Sequence, residues 1–129
     1  MQIIHLNPPT MHRNPAFSQG VLVENPSRLL VIGGQNGADA SGQLVEGGFG
    51  AQTRQALRNV LEVLKAAGGS QEHVIKLTIY IVAGESIEEG FRASQEVWGY
   101  HATAISGLFV AGLGRPGALV EIEALAVLP

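Results

Sequence analysis

The sequence predicts an α+β domain in which two helices cover one face of a mixed β-sheet. Two patterns predict this class. Apolar residues within residues 51–67 recur with the 3.6-residue period of a helix that has one buried face. Residues 74–82 instead alternate with the period of two that is typical of a strand. Because two helices cover only one face of such a sheet, a layered α+β arrangement follows.

The N-terminal part of the chain is predicted to form strands. Prolines break up residues 7–16, which are predicted to be a loop after a first strand. Further strands are predicted at Gly20–Glu24 and Leu29–Gln35, joined by a turn at Asn25–Arg28. The segment Asn36–Gly50 is rich in Gly, Asp and Ser and is predicted to be a loop.

Two helices are predicted in the middle of the chain. The first, over residues 51–67, ends at Gly68-Gly69 and buries a face formed by Leu57, Val60, Leu61 and Leu64. The second is expected from about Ser86 to Gly99. Between them lies a strand, Val74–Val82.

This strand has two different faces. The face predicted to lie under the helices carries four apolar residues: Ile75, Leu77, Ile79 and Ile81. The other face is mixed and includes Lys76, Thr78 and Tyr80. Two more strands, at about Thr103–Ala111 and Ala118–Leu128, complete the order β-β-β-α-β-α-β-β.

Length and composition limit the classes of function. The 129 residues predict a single domain over residues 1–129. A net charge of −3 with eight Lys and Arg argues against partners such as nucleic acid or an anionic membrane. No apolar run is long enough to span a membrane and no targeting segment is evident, so a cytoplasmic protein is expected. The absence of cysteine excludes disulfides and thiol catalysis.

The low charge content predicts self-association. Charged residues form 15% of the chain, against ~25% in typical soluble domains. The last strand, like Val74–Val82, has a second face that is semi-polar and carries little charge. Such faces suit packing against other copies, so we expect a homo-oligomer whose sheets face one another.

Several local patterns have both a functional and a structural interpretation. Gly112–Gly117 fits G-x-G-x-x-G, but strands on both sides favour a tight turn over a dinucleotide site. Glu121 and Glu123 share one strand face, which suits either acid–base chemistry or a wet interface. The hydroxyl of Ser106 is expected to bond to neighbouring backbone. The four histidines are scattered, so no metal site is expected.

Five segments taken together resemble one known family. They are Ala16–Gly20, Gly33–Gln35, Gln52–Leu61, Val74–Tyr80 and Val120–Val127. In this order and spacing they are similar to the Rid (YjgF) family, and the resemblance covers about residues 13–128. It implies a chorismate-mutase-like fold assembled as a homotrimer with a central barrel and ligand clefts between subunits. It also implies imine or enamine hydrolysis to 2-keto acids and ammonia, without a metal or organic cofactor.

One departure from the family's deaminase pattern concerns charge. Active members carry an arginine that pairs with the substrate carboxylate, and Ile105, within Thr103–Ser106, stands at its position. Isoleucine offers nothing in place of a bidentate guanidinium–carboxylate pair. Arg115, in the turn before the last strand, is the candidate to replace that charge, although a solvated turn arginine is the simpler interpretation.

Of the other cleft positions that the resemblance implies, four are altered and one is retained. Phe17 stands where the family has a tyrosine, Gly33 where it has a serine, and Gly107 where it has a cysteine. Gln95 aligns with an asparagine of the second helix. The glutamate that helps to hold the cleft water is retained as Glu121.

These residues lead to two hypotheses. In the first, the cleft binds a small metabolite of the imine, enamine or keto type, with weak or no 2-imino acid deaminase activity because Ile105 replaces the arginine. In the second, the protein is an active hydrolase or deaminase on a different, more apolar pathway intermediate, with water positioned by Glu121. A nucleic-acid role is disfavoured by the charge.

Overall fold

The computed structural model describes all 129 residues and confirms the predicted α+β fold. The strands are β1 (Gln2–Leu6), β2 (Gly20–Glu24), β3 (Arg28–Gln35), β4 (Val74–Val82), β5 (Ala104–Val110) and β6 (Val120–Leu128). The helices are α1 (Gly48–Ala66) and α2 (Ile87–Trp98), with a short 3-10 turn at Gln71–His73. Their order is the predicted one.

The main sheet has four strands in the order β3-β6-β4-β5. Strand β6 is antiparallel to both β3 and β4, whereas β4 and β5 are parallel. The sheet is therefore mixed, as predicted. Because α2 connects the parallel strands β4 and β5, it crosses over one face of the sheet, and α1 packs beside it on β3 and β6.

Strands β1 and β2 form a separate two-stranded hairpin. Only three residues separate β2 from β3, yet the two strands do not pair. Asn25 adopts a left-handed backbone with φ 53°, and Pro26, next to it, has no N–H to donate to a ladder. We refer to β1, β2 and their connection, residues 2–24, as the N-terminal hairpin.

Helix α1 supplies one side of the core. It begins at Gly48, three residues earlier than predicted, and the φ values of Gly47 and Gly48, 113° and 82°, favour glycine. It ends where the Gly69 N–H donates to the Leu64 carbonyl at 2.8 Å. Leu57, Val60 and Leu64 are buried, and each contributes about 1.5–3 kcal/mol by leaving water. Neither helix is long and apolar enough to cross a membrane.

The prediction for the apolar face of β4 is wrong at one position, Ile75. A β-bulge between Val74 and Lys76 shifts the register of β4 against β6. Val74 is therefore fully buried in the core, whereas Ile75 is only half-buried and lies outside it. Beyond the bulge the prediction is correct, since Leu77 and Ile81 pack in the core under the helices.

Candidate functional site

An apolar pocket lies between α2 and the side of β4 and β5 that faces the helices. We call it the helix-side pocket. Its volume is about 360 Å³, and 16 of its 24 lining residues are hydrophobic. Leu77 pairs with Ile105, and Ile79 with Gly107, so these side chains share one face of the sheet and form the floor.

The helix-side pocket carries no charged carboxylate, ammonium or guanidinium group. No Asp, Glu, Lys or Arg is among the residues that line it. Two of its polar side chains are committed within the protein: Thr53 Oγ1 donates to the Phe49 carbonyl at 2.9 Å, and Ser94 Oγ to the Gly90 carbonyl at 2.8 Å. The indole N–H of Trp98 is buried without an acceptor. The pocket is therefore built for apolar contact with few polar attachment points.

Two loops border the pocket. One is Pro15–Phe17, from the connection between β1 and β2, and the other is Gly99–Ala102, between α2 and β5. The ring of His12 meets that of Phe17 edge to face, with centroids 6.2 Å apart. His101 Nε2 donates to the Val74 carbonyl at 3.1 Å, which ties the second loop to β4.

The structure brings four of the seven sequence-predicted site residues together. Phe17, Gln95, Ile105 and Gly107 all line the helix-side pocket. Ile105 is half-buried in the pocket floor, and Gly107 leaves open space there, since a Cβ at this position would meet nothing within 4 Å. The remaining three, Gly33, Arg115 and Glu121, lie elsewhere.

Glu121 lies on the opposite face of the sheet from Ile105. It pairs with Tyr80, which is three residues from Leu77 and so points away from the helices. Its carboxylate packs over Gly34, where a Cβ would lie 2.5 Å from Glu121 Oε2. Glycine at position 34 is therefore what leaves room for this side chain. Gly33, beside it, is exposed, and a Cβ added there would meet nothing within 4 Å.

The face of the sheet that points away from the helices, which we call the open face, carries two polar pairs. The Tyr80 hydroxyl donates a hydrogen bond to Glu123 Oε1 at 2.8 Å, and this hydrogen bond raises the pKa of Tyr80 above its ordinary value. Lys76 Nζ donates to Ser106 Oγ at 2.6 Å. The expectation that the Ser106 hydroxyl bonds to backbone is therefore wrong, because this hydroxyl instead accepts a hydrogen bond from Lys76 on the neighbouring strand.

Arg115 is occupied away from the pocket. Its guanidinium donates to the Gly42 carbonyl and lies near Asp39 in the loop between β3 and α1. The hydrogen bond from Ser41, the backbone N–H of Gln43 and the charge of Arg115 all hold the pKa of Asp39 below its ordinary value. In this conformation Arg115 joins two loops and contributes no charge to the helix-side pocket.

Sequence reasoning missed most of the α2 wall. Phe91 and Trp98 are seven residues apart on α2, and together with Gln95 they present one face of that helix to the pocket. The helical spacing of these residues was visible in the sequence. What the spacing does not show is that this face borders an open space rather than a filled core.

Comparison with known proteins identifies the family. A family model described as "Endoribonuclease L-PSP", which represents the Rid (YjgF) proteins, matches residues 11–128. This chain belongs to the Rid family. The predicted resemblance is thereby confirmed.

Among curated Rid relatives are proteins named 2-iminobutanoate/2-iminopropanoate deaminase. The human one is 37% identical over 112 residues, which cover 86% of this chain and 79% of the human protein. A RutC family protein of Pyrococcus horikoshii is 34% identical over 111 residues, which cover 85% of each chain. This Rid protein thus has imine deaminases among its homologues.

Solved Rid structures confirm the fold. The Rid-family protein YyfB of Yersinia pestis matches with a TM-score of 0.87 at 34% identity, over 99% of this chain and all of that one. That coverage includes the N-terminal hairpin. RidA of Psychrobacter matches with a TM-score of 0.71 at 30% identity, over 87% of this chain and 88% of the other.

Proposed function

We propose that this Rid protein binds a small, largely apolar metabolite in the helix-side pocket and hydrolyses 2-imino acids weakly or not at all. The metabolite is of the imine, enamine or keto type. One observation carries the proposal: no Asp, Glu, Lys or Arg lines the pocket, and Ile105 occupies its floor. The deaminase names of the relatives supply the chemical class of ligand.

The absence of lysine and arginine from the pocket disfavours carboxylate ligands. A 2-imino acid carries a carboxylate, and burying that charge without a partner costs several kcal/mol. An arginine at position 105 would offset this cost through two parallel charge-assisted hydrogen bonds. Isoleucine instead adds apolar surface, so a flat, neutral molecule such as an aromatic imine or amide gains more from the same space.

Saturation-transfer NMR with two small probes tests this preference. Benzamide represents a neutral, flat ligand and 2-oxobutanoate a small 2-keto acid. We expect saturation transfer to benzamide and little to 2-oxobutanoate. Gly107→Leu fills the pocket without a backbone clash, since nothing lies within 4 Å of a Cβ there, and should abolish the benzamide signal. Gly112→Leu, equally unobstructed but outside the pocket, is the control. Binding of 2-oxobutanoate alone would contradict the proposal.

The second candidate function is hydrolysis of a more apolar intermediate, with Glu121 positioning the water. Since Glu121 and the helix-side pocket lie on opposite faces of one sheet, a shared site needs Glu121 from a second copy. We propose that this protein assembles as a homotrimer with the open faces of its sheets turned inward, so that Glu121 of one copy and the pocket of the next meet where the edge strand β5 reaches the cleft between subunits. The exposed apolar residues of that face support this: Leu29 and Val31 are each 67% exposed and Leu125 is 37% exposed.

Two measurements test the assembly and the second function. Sedimentation should give three times the 13.6 kDa chain mass, and Val31→Lys should shift it toward the single chain. For activity, the probe is benzaldimine, a neutral imine generated in situ from benzylamine by a flavin amine oxidase, with O2 reduced to H2O2. Acceleration of its hydrolysis that Glu121→Gln abolishes, while benzamide binding persists, would favour the enzyme. Acceleration that Glu121→Gln leaves intact would exclude Glu121 as the group that holds the water.

A further inference from the structure

We infer that the N-terminal hairpin is a movable wall of the helix-side pocket. It is held closed by the contacts of Ser18, His5 and His101, which we call the lock. This inference concerns access to the pocket that the proposed function uses, and so it rests on that function for its biological meaning. Its physical content, the opening and closing of the hairpin, does not depend on which ligand binds.

The hairpin is attached to the rest of the protein at few places. β1 and β2 pack on each other and on no other strand or helix to a comparable extent. A two-stranded hairpin is marginally stable by itself in water, so its position depends on the attachments it does have. The connection between its strands carries Pro15–Phe17, which form one border of the pocket.

Ser18 is the centre of these attachments. Its backbone N–H donates to the Thr103 carbonyl at 2.9 Å, and its hydroxyl donates to the Ala102 carbonyl. Only 4% of Ser18 is exposed, so these bonds are shielded from water. Thr103 is fully buried and is itself anchored, because its Oγ1 donates to the Val74 carbonyl at 2.8 Å. One serine thus joins the hairpin to the start of β5.

Two histidines complete the lock. Because the Ser18 hydroxyl donates a hydrogen bond to the Ala102 carbonyl, it accepts one from His5 Nδ1, which lies 3.0 Å away. The ring of His5 meets the ring of His101 edge to face, with centroids 5.4 Å apart. His5 belongs to β1, and His101 belongs to the second loop that borders the pocket. The lock therefore joins the two borders of the pocket directly to each other.

Breaking the lock should free the hairpin and leave the main sheet intact. The strands β3, β6, β4 and β5 and both helices form the core without any residue of β1 or β2. Lifting the hairpin removes Phe17 from the pocket border and widens access to Trp98. Such opening below the level of global unfolding is how weakly attached segments of native proteins behave.

Fluorescence quenching by acrylamide measures this opening without any ligand. Trp98 is the only tryptophan of the chain and lines the pocket. Ser18→Ala and His5→Phe should each raise the quenching constant, because a lost hydrogen bond of ordinary strength increases the open population about fivefold. His5→Phe keeps an aromatic ring but loses the bond to Ser18. Ser41→Ala, whose hydroxyl bonds to Asp39 far from the hairpin, should leave quenching unchanged.

Hydrogen exchange provides the second readout. Amide protons of β1, β2 and Ser18 should exchange together and faster than those of β4 and β6, and Ser18→Ala should accelerate the first group alone. Exchange of the hairpin only together with β4 and β6 would overturn the inference, as would unchanged quenching in both variants. Neither assay contains benzamide, so failure here is distinguishable from failure of the proposed function.

Discussion

Ile105 and Glu121 lie on opposite faces of the same sheet. Ile105 faces the helices beside Leu77, and Glu121 faces away from them beside Tyr80. Within one chain, the sheet therefore separates the pocket from Glu121. The pocket holds Ile105, at the position of the family's arginine, and Glu121 is the residue expected to hold the water. Any chemistry that needs both requires two copies of the chain, whereas ligand binding in the helix-side pocket requires only one.

The position of Glu121 can be tested through the two glycines beside it. Gly34→Ala places a Cβ against the Glu121 carboxylate and should displace this side chain, whose flexible end can move. The free energy of unfolding should change by less than about 1 kcal/mol, the usual range for such a substitution. The Glu121 carboxyl carbon resonance should shift. Gly33→Ala meets nothing within 4 Å and is the control. Equal shifts in both variants would contradict this placement.

The hydrogen bond between Tyr80 and Glu123 predicts that the stability of the fold depends on pH in the alkaline range. The carboxylate of Glu123 accepts a hydrogen bond from the Tyr80 hydroxyl and raises the pKa of Tyr80 above 10.0, so Glu123→Gln should lower that pKa. Because the folded pKa exceeds the unfolded one, the stabilisation is complete below pH 10 and is lost as pH rises through the folded value. Phenolate absorbance in a Tyr100→Phe background isolates Tyr80, since the chain has two tyrosines. An unchanged titration midpoint would contradict the pairing.

The contacts of Arg115 predict a structural rather than a ligand-binding role. Arg115→Ala should leave benzamide affinity unchanged within about twofold, because the guanidinium bonds to Gly42 outside the pocket. The same substitution should raise the pKa of Asp39 slightly, and Ser41→Ala should raise it more, because the Ser41 hydrogen bond is the larger cause. Carboxyl carbon NMR follows both. A tenfold loss of benzamide affinity in Arg115→Ala would instead place this guanidinium in the pocket.

Sequence periodicity was sufficient to predict the core of the fold. The spacing of Leu57, Val60 and Leu64 predicts α1, and alternation along β6 predicts that Ile122 is buried and Glu121 is not, as the structure shows. The bulge beside Val74 was not predictable, because Val74 and Ile75 are equally apolar and only pairing with β6 determines which one is buried.

Four residues of the candidate pocket were predictable from the sequence, but the α2 wall and the arrangement of the site were not. The resemblance to the Rid family pointed to Phe17 and Ile105, which do share a pocket. It did not show that Glu121 faces the other side of the sheet, since that depends on strand order. Nor does local sequence predict that Ser18 fastens the hairpin, because its partners Ala102 and Thr103 are more than eighty residues away.

A guanidinium at position 105 should reverse the ligand preference of the pocket. Ile105→Arg should raise the affinity for 2-oxobutanoate by at least about tenfold, because a charge-assisted hydrogen bond to a carboxylate stabilises by about 1.5–3 kcal/mol. Benzamide affinity should fall. Ile105→Gln, neutral and of similar length, is the matched control and should give little gain. Titration by NMR measures all three proteins, and an equal gain in Ile105→Gln would show that charge is not the deciding property.

The most direct test of the central claim is the hydrolysis of 2-iminobutanoate by the wild-type protein. In this reaction water adds to the imine carbon, and ammonia leaves to give the 2-keto acid. The imine is generated by an amino acid oxidase, and its disappearance is followed with and without this protein. With Ile105 in the pocket floor and no lysine or arginine in the lining, the imine should decay at close to the buffer rate. Clear acceleration would contradict the claim that the uncharged pocket disfavours 2-imino acids.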